Sequence, residues 1–338
     1  MTPSPVPRSI DKLHENPRAR TNLDLSTGRF HPREYYKFER RSAMSSDGIL
    51  RLFRGPLVLE LLPDLGGSIA RFSYVDGEEK VNIFRASDSV PKTILDAASF
   101  PLVPFCNRIR EGRFSFRGRE VTLATNMPGD PSPLHGHGWL SAWEVEKASE
   151  THAELVFRHD AGEWPWRYEA RQSFRLEPDN LTIRLACLNL SDEPMPCGLG
   201  QHPYFHCTAE TILDTQVAHA WTIDEKVLPV EKVPAIGRFG LANRFVCGQD
   251  LDNGFGGWGG SARMRLPGAP FTLEMSSADA SFFQLYSPAT GGIFVAEPVT
   301  HANAALNEPE ESWAELGLRV LEAGEEMALT AKWSLIFD

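Results

Sequence analysis

The feature that most constrains the fold is a two-residue hydrophobic period that recurs along most of the chain. In residues 167–176 apolar side chains from Tyr168 to Leu176 share one face, and the opposite face is mostly charged. Turn-forming residues follow at 177–180, and residues 181–187 alternate in the same way. Alternation on both sides of a turn predicts two strands that each bury one face.

The same period occurs near both ends of the chain, in residues 57–61 and 327–337. The 27 glycines and 25 prolines interrupt nearly every segment, and no stretch has the length and spacing of a long amphipathic helix. Many strands separated by turns are typical of an all-β protein. We therefore predict an all-β fold with many strands in large, packed sheets.

The first 45 residues differ from the rest of the chain. They are polar, contain prolines and are locally basic. This composition predicts a mobile or surface-wrapping extension over residues 1–45, or alternatively a strap or dimer contact. No later change in composition marks a boundary, so we expect residues 46–338 to form a single domain.

The overall composition disfavours several functions. The formal net charge is −11, whereas a nucleic-acid-binding protein needs a basic surface. No apolar run reaches the roughly 18 residues of a membrane span, and the N-terminus lacks a signal-peptide stretch, so we predict a cytoplasmic protein without a membrane partner. The five cysteines are never spaced as C-x-x-C, which favours reduced thiols over a disulfide scaffold or a zinc knuckle.

Two proton-transfer side chains stand directly before prolines at the ends of apolar segments. His202 precedes Pro203, and Glu297 precedes Pro298. Proline forces the preceding residue into an extended conformation, so both side chains should lie on stiff, strand-like backbone. Held in this way, an acid and a base can exchange protons with one small substrate. The alternatives are a hydrogen-bonded core histidine and a structurally paired carboxylate.

A second pair of histidines, His135 and His137, is separated by one glycine. In a strand, residues i and i+2 point to the same side, so both imidazoles would meet one ligand. The candidates are a metal ion and a polar ligand that approaches beside the glycines, and the alternative is a structural turn. A cupin-type metal site would place a carboxylate a few residues later, whereas the first acid here is Glu144.

Two further segments carry groups suited to sugar hydroxyls. Asn107 and Arg108 place an amide and a guanidinium side by side after an apolar stretch. Residues 250–260 are rich in glycine and include Asp252 and Trp258. We predict a loop in which the carboxylate accepts hydroxyl protons and the indole stacks on a pyranose ring. The alternative is a tight surface loop without a ligand.

Five segments resemble, in their order along the chain, the aldose 1-epimerase (galactose mutarotase) family. They are Asn-Arg-Ile at 107–109, Leu-His-Gly at 134–136, His-Pro-Tyr-Phe at 202–205, the Leu-Asp…Gly-Trp stretch at 251–258, and the Glu297 segment with Ala-Asn-Ala at 302–304. The resemblance covers roughly residues 45–338. It implies a large antiparallel β-sandwich, called a supersandwich. It also implies the interconversion of α and β anomers of free aldoses without a cofactor or a metal.

The resemblance implies a role for each matching residue. Glu297 resembles the base that removes the proton of the C1 hydroxyl, and His202 resembles the acid that protonates the ring oxygen. The aldehyde intermediate then rotates and closes with the two roles exchanged. The remaining matches are contacts to the sugar: His135, Arg108, Asn107, Asp252 and, more loosely, Gln284.

Two positions depart from the family pattern. His137 stands where a second glycine is common, and His206 stands where an asparagine is common. Both departures concern sugar specificity rather than the chemistry. We expect a small sugar as substrate and a monomer or homodimer as the assembly. The competing hypotheses are a non-catalytic carbohydrate-binding or sensing protein, a hexose-phosphate epimerase, and a metal-dependent cupin-like enzyme that uses His135 and His137.

Overall fold

The computed structural model of the protein describes residues 47–87 and 89–337. These residues form 25 strands and six short 3₁₀ helices, without an α-helix. The first strands are β1 (Leu50–Arg54), β2 (Leu57–Leu62), β3 (Ser68–Asp76), β4 (Glu79–Asn82), β5 (Pro101–Leu102), β6 (Arg113–Phe116), β7 (Arg119–Thr122), β8 (Glu144–Ala148), β9 (His152–His159), β10 (Tyr168–Leu176), β11 (Asn180–Asn189) and β12 (Met195–Cys197). The later strands are β13 (Gly200–Gln201), β14 (Tyr204–His206), β15 (Ile212–Thr215), β16 (His219–Ile223), β17 (Pro229–Pro234), β18 (Arg244–Phe245), β19 (Leu251–Gly256), β20 (Ser261–Arg265), β21 (Thr272–Ser276), β22 (Phe282–Ser287), β23 (Ile293–Val299), β24 (Arg319–Leu321) and β25 (Glu326–Ile336). The 3₁₀ helices are Ile94–Asp96, Arg110–Gly112, Gly138–Leu140, Gly237–Phe239, Ala305–Asn307 and Glu310–Ser312.

Two large antiparallel sheets contain most of these strands. One has nine strands in the order β18-β15-β20-β21-β25-β11-β10-β9-β8. The other has eight, in the order β17-β16-β19-β22-β23-β13-β5, with β14 also pairing with β23. Strands β1 to β4 form a four-stranded sheet, and β6-β7 and β12-β24 form two pairs. The all-β fold with large antiparallel sheets, expected from the sequence, is therefore confirmed.

One apolar cluster contains side chains from both large sheets. Phe255, Leu285 and Phe294 of the eight-stranded sheet share it with Ile183 and Trp333 of the nine-stranded sheet. All five side chains are fully buried. Two sheets that share a core in this way form a β-sandwich. Burial of each large apolar side chain contributes about 1.5–3 kcal/mol, so this layer holds the eight-stranded sheet firmly in place.

The eight-stranded sheet carries a second apolar cluster on its outer face. Strand β23 divides its side chains between the two clusters, because Phe294 belongs to the sandwich core while Val295 and Val299 belong to the outer cluster. Segments between residues 94 and 139 also contribute to the outer cluster. Successive side chains of a strand point to opposite faces, so Glu297 shares the face of Val295 and lies opposite Phe294 and Ala296. The Glu297 side chain therefore points to the outer face.

The strands predicted at 168–176 and 181–187 are confirmed as β10 and β11. They pair in register from Tyr168 opposite Asn189 to Leu176 opposite Leu181. The turn between them closes where the N–H of Glu177 donates to the carbonyl of Asn180 at 2.9 Å. The alternating segments near the ends of the chain are β2 and β25.

The structure differs from the sequence prediction in the glycine-rich stretch. Residues Leu251–Gly256 are not a loop but β19, a central strand of the eight-stranded sheet. Glycine is needed there because a Cβ on Gly256 would lie 2.2 Å from the ring of His219. Trp258 is not an exposed stacking ring either, since it is 6% exposed and donates to Oγ1 of Thr215 at 2.8 Å.

Two sequence predictions concern the organisation of the chain. The extension over residues 1–45 lies outside the described residues, and the single domain over residues 46–338 stays a prediction. The five cysteines are free thiols, as their spacing indicates. In the part of the chain that the structure describes, no helix has the length and hydrophobicity needed to cross a lipid bilayer.

Candidate active site

Glu297 and His202, far apart in the sequence, meet on the outer face of the eight-stranded sheet. Glu297 lies in β23, and His202 lies between β13 and β14, where its N–H donates to the carbonyl of Phe100 at 3.0 Å. Nε2 of His202 is 3.4 Å from Oε1 of Glu297. The two residues are only 8% and 2% exposed, so the pair lies at the bottom of the site.

Aromatic rings fix the orientation of His202. Its imidazole stacks on Phe100 with ring centres 4.4 Å apart, and Tyr204 lies 4.8 Å away on the same segment. Burial among these rings lowers the pKa of His202 to about 3, because desolvation disfavours the imidazolium form. His202 is therefore a neutral imidazole at physiological pH.

Burial acts on Glu297 in the opposite direction. Desolvation raises the pKa of Glu297 well above its usual range, and the carboxylate of Asp252 raises it further. The guanidinium of Arg108 partly offsets this increase. The site therefore favours an uncharged pair, a carboxylic acid beside a neutral imidazole, with one transferable proton between them.

His135 and Asn107 hold each other through two reciprocal hydrogen bonds. The N–H of Asn107 donates to Nδ1 of His135 at 3.1 Å, and the N–H of His135 donates to the carbonyl of Asn107 at 3.0 Å. Both residues have left-handed backbone, with φ of 57° and 59°. Because Nδ1 accepts a hydrogen bond and burial keeps the pKa of His135 well below its usual value, the ring proton lies on Nε2. The His135 ring lies 5.4 Å from that of His202.

Arg108 is oriented by an acid that the sequence reasoning missed. Nε and Nη2 of Arg108 both lie 3.0 Å from Oδ2 of Asp130, and both side chains are nearly buried. Asp130 is itself held, since its Oδ1 accepts the N–H of Ser132 at 2.9 Å. Residues 125–131 around it line an open depression of about 870 Å³, which neither His202 nor Glu297 lines.

Asp252 and Gln284 lie beside Glu297 on adjacent strands. Gln284 of β22 is directly opposite Glu297, and its Nε2 donates to Oδ1 of Asp252 in β19 at 2.9 Å. Burial raises the pKa of Asp252, and Arg108 and the Gln284 amide oppose that shift. The seven residues predicted from the sequence are thus distributed over strands β19, β22 and β23 and the three segments that face them.

A second set of residues, to which the sequence analysis gave no role, supports the Asn107 segment through hydrogen bonds to its backbone. Nε2 of His301 accepts the N–H of Cys106 at 2.8 Å, and Oδ1 of Asn303 accepts the N–H of Arg108 at 3.0 Å. Oδ1 of Asn307 accepts the N–H of Arg110 at 2.7 Å. These three acceptors bind the N–H groups of residues 106, 108 and 110, every second residue of the segment. The pairing cannot be read from the sequence, because the two segments come together only in the folded structure.

Three buried polar atoms of the site have no hydrogen-bond partner among the described residues. They are Nδ2 of Asn107, Nδ1 of His202 and Oε2 of Glu297. Buried polar atoms are nearly always hydrogen-bonded, so each such atom needs a specific explanation. Their location on three neighbouring site residues is what a binding site for a polyhydroxyl ligand requires.

His137 does not share a ligand with His135, contrary to the prediction from their spacing. The segment is not a strand, since His135 has left-handed backbone and His137 has helical backbone. The His137 ring instead stacks on His159 at 4.3 Å, and Nδ1 lies 3.5 Å from the hydroxyl of Tyr168. Among residues 47–87 and 89–337, no group of three or more His, Cys, Asp or Glu side chains is arranged to hold a metal ion.

Proteins of known sequence resemble the chain over most of its length. A sequence model of the aldose 1-epimerase family matches residues 61–333. The chain is 34% identical over 253 residues to the uncharacterized protein YphB of Escherichia coli K12, covering 70% of this chain and 85% of that protein. It is 24% identical over 204 residues to the aldose 1-epimerase of the same organism, covering 56% of this chain and 57% of that enzyme.

Solved structures have the same architecture. A candidate aldose 1-epimerase from Escherichia coli K12 superimposes with a TM-score of 0.77 at 29% identity, covering 86% of this chain and 99% of that one. A galactose mutarotase-like protein from Clostridium acetobutylicum superimposes with a TM-score of 0.76, covering 86% and 95% of the two chains, and at 18% identity it supports the fold alone. The family match over residues 61–333, together with the 34% identity to YphB, shows that the chain belongs to the aldose 1-epimerase family.

Proposed function

We propose that this protein is an aldose 1-epimerase, an isomerase that interconverts the α and β anomers of a free aldose without a cofactor. The observation that carries the proposal is the approach of His202 Nε2 to Glu297 Oε1 at 3.4 Å in a buried site. In an aldopyranose, the C1 hydroxyl and the ring oxygen O5 are bonded to the same carbon. An acid and a base that serve both oxygens must therefore lie close together, as these two groups do.

The proposed reaction moves one proton at each oxygen. One member of the pair removes the proton from the C1 hydroxyl, the C1–O1 bond becomes a carbonyl, and the C1–O5 bond breaks. The other member gives its proton to O5, so that no net charge develops in the buried site. After rotation about C1–C2, O5 attacks the opposite face of the aldehyde and both protons return.

The neighbouring side chains support substrate binding in this proposal. Nε2–H of His135, the guanidinium of Arg108 and the amide of Asn107 are hydrogen-bond donors, whereas the carboxylate of Asp252 is an acceptor. Gln284 offers both through its amide. One positioned acid and one positioned base each contribute about 10²–10⁴-fold, which is enough for a reaction that already proceeds in water.

Mutarotation followed by polarimetry tests the proposal. We expect Glu297→Gln and His202→Asn each to lower kcat/KM by about 10²–10⁴-fold, with an unchanged circular dichroism spectrum. Glu144→Gln and His152→Asn are matched controls on β8 and β9 of the other large sheet, and they should keep the wild-type rate. Wild-type rates in either site variant would refute the assignment. Sugar binding without accelerated mutarotation in the wild type would indicate a binding protein instead.

A further inference from the structure

The guanidinium of Arg108 uses one of its edges for Asp130. Nε and Nη2 both lie 3.0 Å from Oδ2 of Asp130, and the two side chains are only 12% and 13% exposed. A guanidinium is planar and holds its donors in a fixed fork, so the third nitrogen, Nη1, points away from that carboxylate. Nη1 is therefore the group of Arg108 that is left for a sugar.

Arg108 lies among the carboxyl groups of the site. Its positive charge opposes the raised pKa of Glu297 and that of Asp252, so the guanidinium is within electrostatic reach of both. The Asp130 carboxylate acts on the pKa of Asp252 in the opposite direction, so it is close to the same face of the sheet. The charge of Arg108 is thus balanced by Asp130 before Asp252 or any ligand is counted.

A second arginine beside the site is also occupied by the protein. The guanidinium carbon of Arg85 lies 3.9 Å from the ring centre of Tyr204. Nη2 of Arg85 donates to the carbonyls of Leu95 and Ala97, both at 2.6 Å. These contacts hold the guanidinium against the tyrosine ring, so Arg85 does not replace Arg108 as a partner for a charged ligand.

We propose that Asp130 is a specificity-determining residue that makes the site select uncharged aldoses over aldoses carrying a carboxylate or a phosphate. The Asp130 carboxylate cancels the charge of Arg108, so Nη1 donates to a neutral hydroxyl without a net attraction for anions. An anionic group would also meet the carboxylates of Asp130 and Asp252 in a site with little solvent, where repulsion between like charges is strong. This inference rests on the proposed function, because it assigns the cause of substrate choice at the same site.

Glucose and glucuronate are the probe pair, because they share a pyranose ring and differ by one carboxylate. The measured quantity is the ratio of kcat/KM for glucuronate to kcat/KM for glucose, from mutarotation at neutral pH. Asp130→Asn keeps the size of the side chain and removes its charge. We expect the ratio to rise about tenfold, which corresponds to about 1.4 kcal/mol. The same ratio measured with glucose 6-phosphate should rise as well.

Three further variants separate the charge of Asp130 from its role in holding Arg108. Asp130→Glu keeps a carboxylate in altered geometry, so kcat/KM should fall for both sugars while the ratio stays at the wild-type value. Asp192→Asn changes the net charge equally at an exposed position between β11 and β12, and it should alter neither quantity. Arg108→Gln leaves the charge of Asp130 unbalanced, so its ratio should fall below that of the wild type. This last variant tests the proposal even if Asp130→Asn does not fold, because an unchanged or higher ratio would contradict it.

The outcomes separate the two proposals. If the wild type accelerates glucose mutarotation but Asp130→Asn leaves the ratio unchanged, the role of Asp130 in specificity is refuted and the epimerase proposal stands. An equal rise in Asp130→Glu would also refute that role, because geometry rather than charge would then be the cause. A wild type that prefers glucuronate or glucose 6-phosphate to glucose would refute it directly. If the wild type accelerates no sugar, the proposed function fails. The ratio of the two association constants, measured by calorimetry, then replaces the kinetic ratio, and the same changes are expected.

Discussion

Burial is the dominant influence on the acid–base pair. It lowers the pKa of His202 to about 3 and raises that of Glu297 well above its usual range, so both groups favour their uncharged forms. The family resemblance assigns Glu297 as the base and His202 as the acid, which requires an ionised Glu297 and a His202 that can donate a proton. The structure instead favours a protonated Glu297 carboxyl group beside a neutral His202 imidazole. The pair carries the same total number of protons in both states. Groups this close titrate as a pair, so the pH profile reports the pair rather than either residue.

The first prediction concerns the charge next to this pair. Asp252 raises the pKa of Glu297, and Asp252→Asn removes that charge while keeping an acceptor for Gln284. Because the carboxyl group then releases its proton more readily, the alkaline limb of kcat/KM should move to lower pH. The measurement is the pH dependence of kcat/KM for glucose mutarotation.

Asp250→Asn is the matched control for this shift. Asp250 is exposed and directly precedes β19, so its substitution removes the same charge outside the site. Its pH profile should equal that of the wild type. An alkaline limb that stays in place or moves upward in Asp252→Asn would contradict the account of the raised carboxyl pKa.

At the residue scale, the sequence named the residues of the candidate site but not the residues that support them. The two X-Pro steps and the order of short motifs named six residues, a looser match added Gln284, and the structure brings all seven around one face of one sheet. Asp130 and His301 were missed, and Asn303 was noted only within the Ala-Asn-Ala match and given no role, because these residues orient Arg108 and its segment. A carboxylate or an amide in a loop gives no sequence signal for a partner that is brought close only by folding.

At the scale of elements, the segment after β23 serves as a support for the Asn107 segment. Side chains at 301, 303 and 307 accept the N–H groups of residues 106, 108 and 110. Two of these acceptors are amide oxygens, which are fixed acceptors at every pH. The Arg108 backbone is therefore positioned by the segment that directly follows β23, the strand that carries Glu297.

The second prediction tests this support. Asn303→Ala leaves the buried N–H of Arg108 without its acceptor, which costs about 1–3 kcal/mol. We expect kcat/KM to fall about tenfold, mainly through a higher KM, because Arg108 is proposed to bind the sugar. Steady-state mutarotation kinetics provide the measurement, with thermal unfolding as a check on the fold.

Asn303→Asp distinguishes the two contacts of this side chain. It keeps the acceptor for Arg108 but loses the amide N–H that donates to the carbonyl of Val227 at 2.8 Å. The Asp variant should recover most of the lost kcat/KM. Equal impairment of the Ala and Asp variants would assign the role of Asn303 to the Val227 contact instead.

Strands with one buried and one polar face could be predicted from the sequence, whereas β19, which is covered by neighbouring side chains, could not. The two-residue period located β10, β11 and β25, which each present one polar face. It failed for β19, where the density of glycine indicated a loop. Those glycines are required because His219 and Gln284 occupy the space above them, and a single sequence contains no record of such neighbours.

At the scale of the whole molecule, buried neutral histidines make stability depend on pH. Burial lowers the pKa of His137 and His301 to about 4 and that of His202 to about 3, and it keeps that of His135 well below its usual value. In the unfolded chain these groups take up protons near pH 6.5. Glu297 and Asp252 act in the opposite direction, because their raised pKa values let the folded state hold protons that the unfolded chain has released.

The third prediction follows from the balance between the buried histidines and the two carboxyl groups. Between pH 6.5 and 5 the unfolded chain binds more protons than the folded chain, so the free energy of unfolding should fall. Urea unfolding at the two pH values measures this change. His137→Asn should make the loss smaller by about one proton's contribution, whereas His206→Asn, which replaces an exposed histidine, should not alter it. A free energy of unfolding that is constant or rises on acidification would show that these imidazoles are not held neutral by the fold.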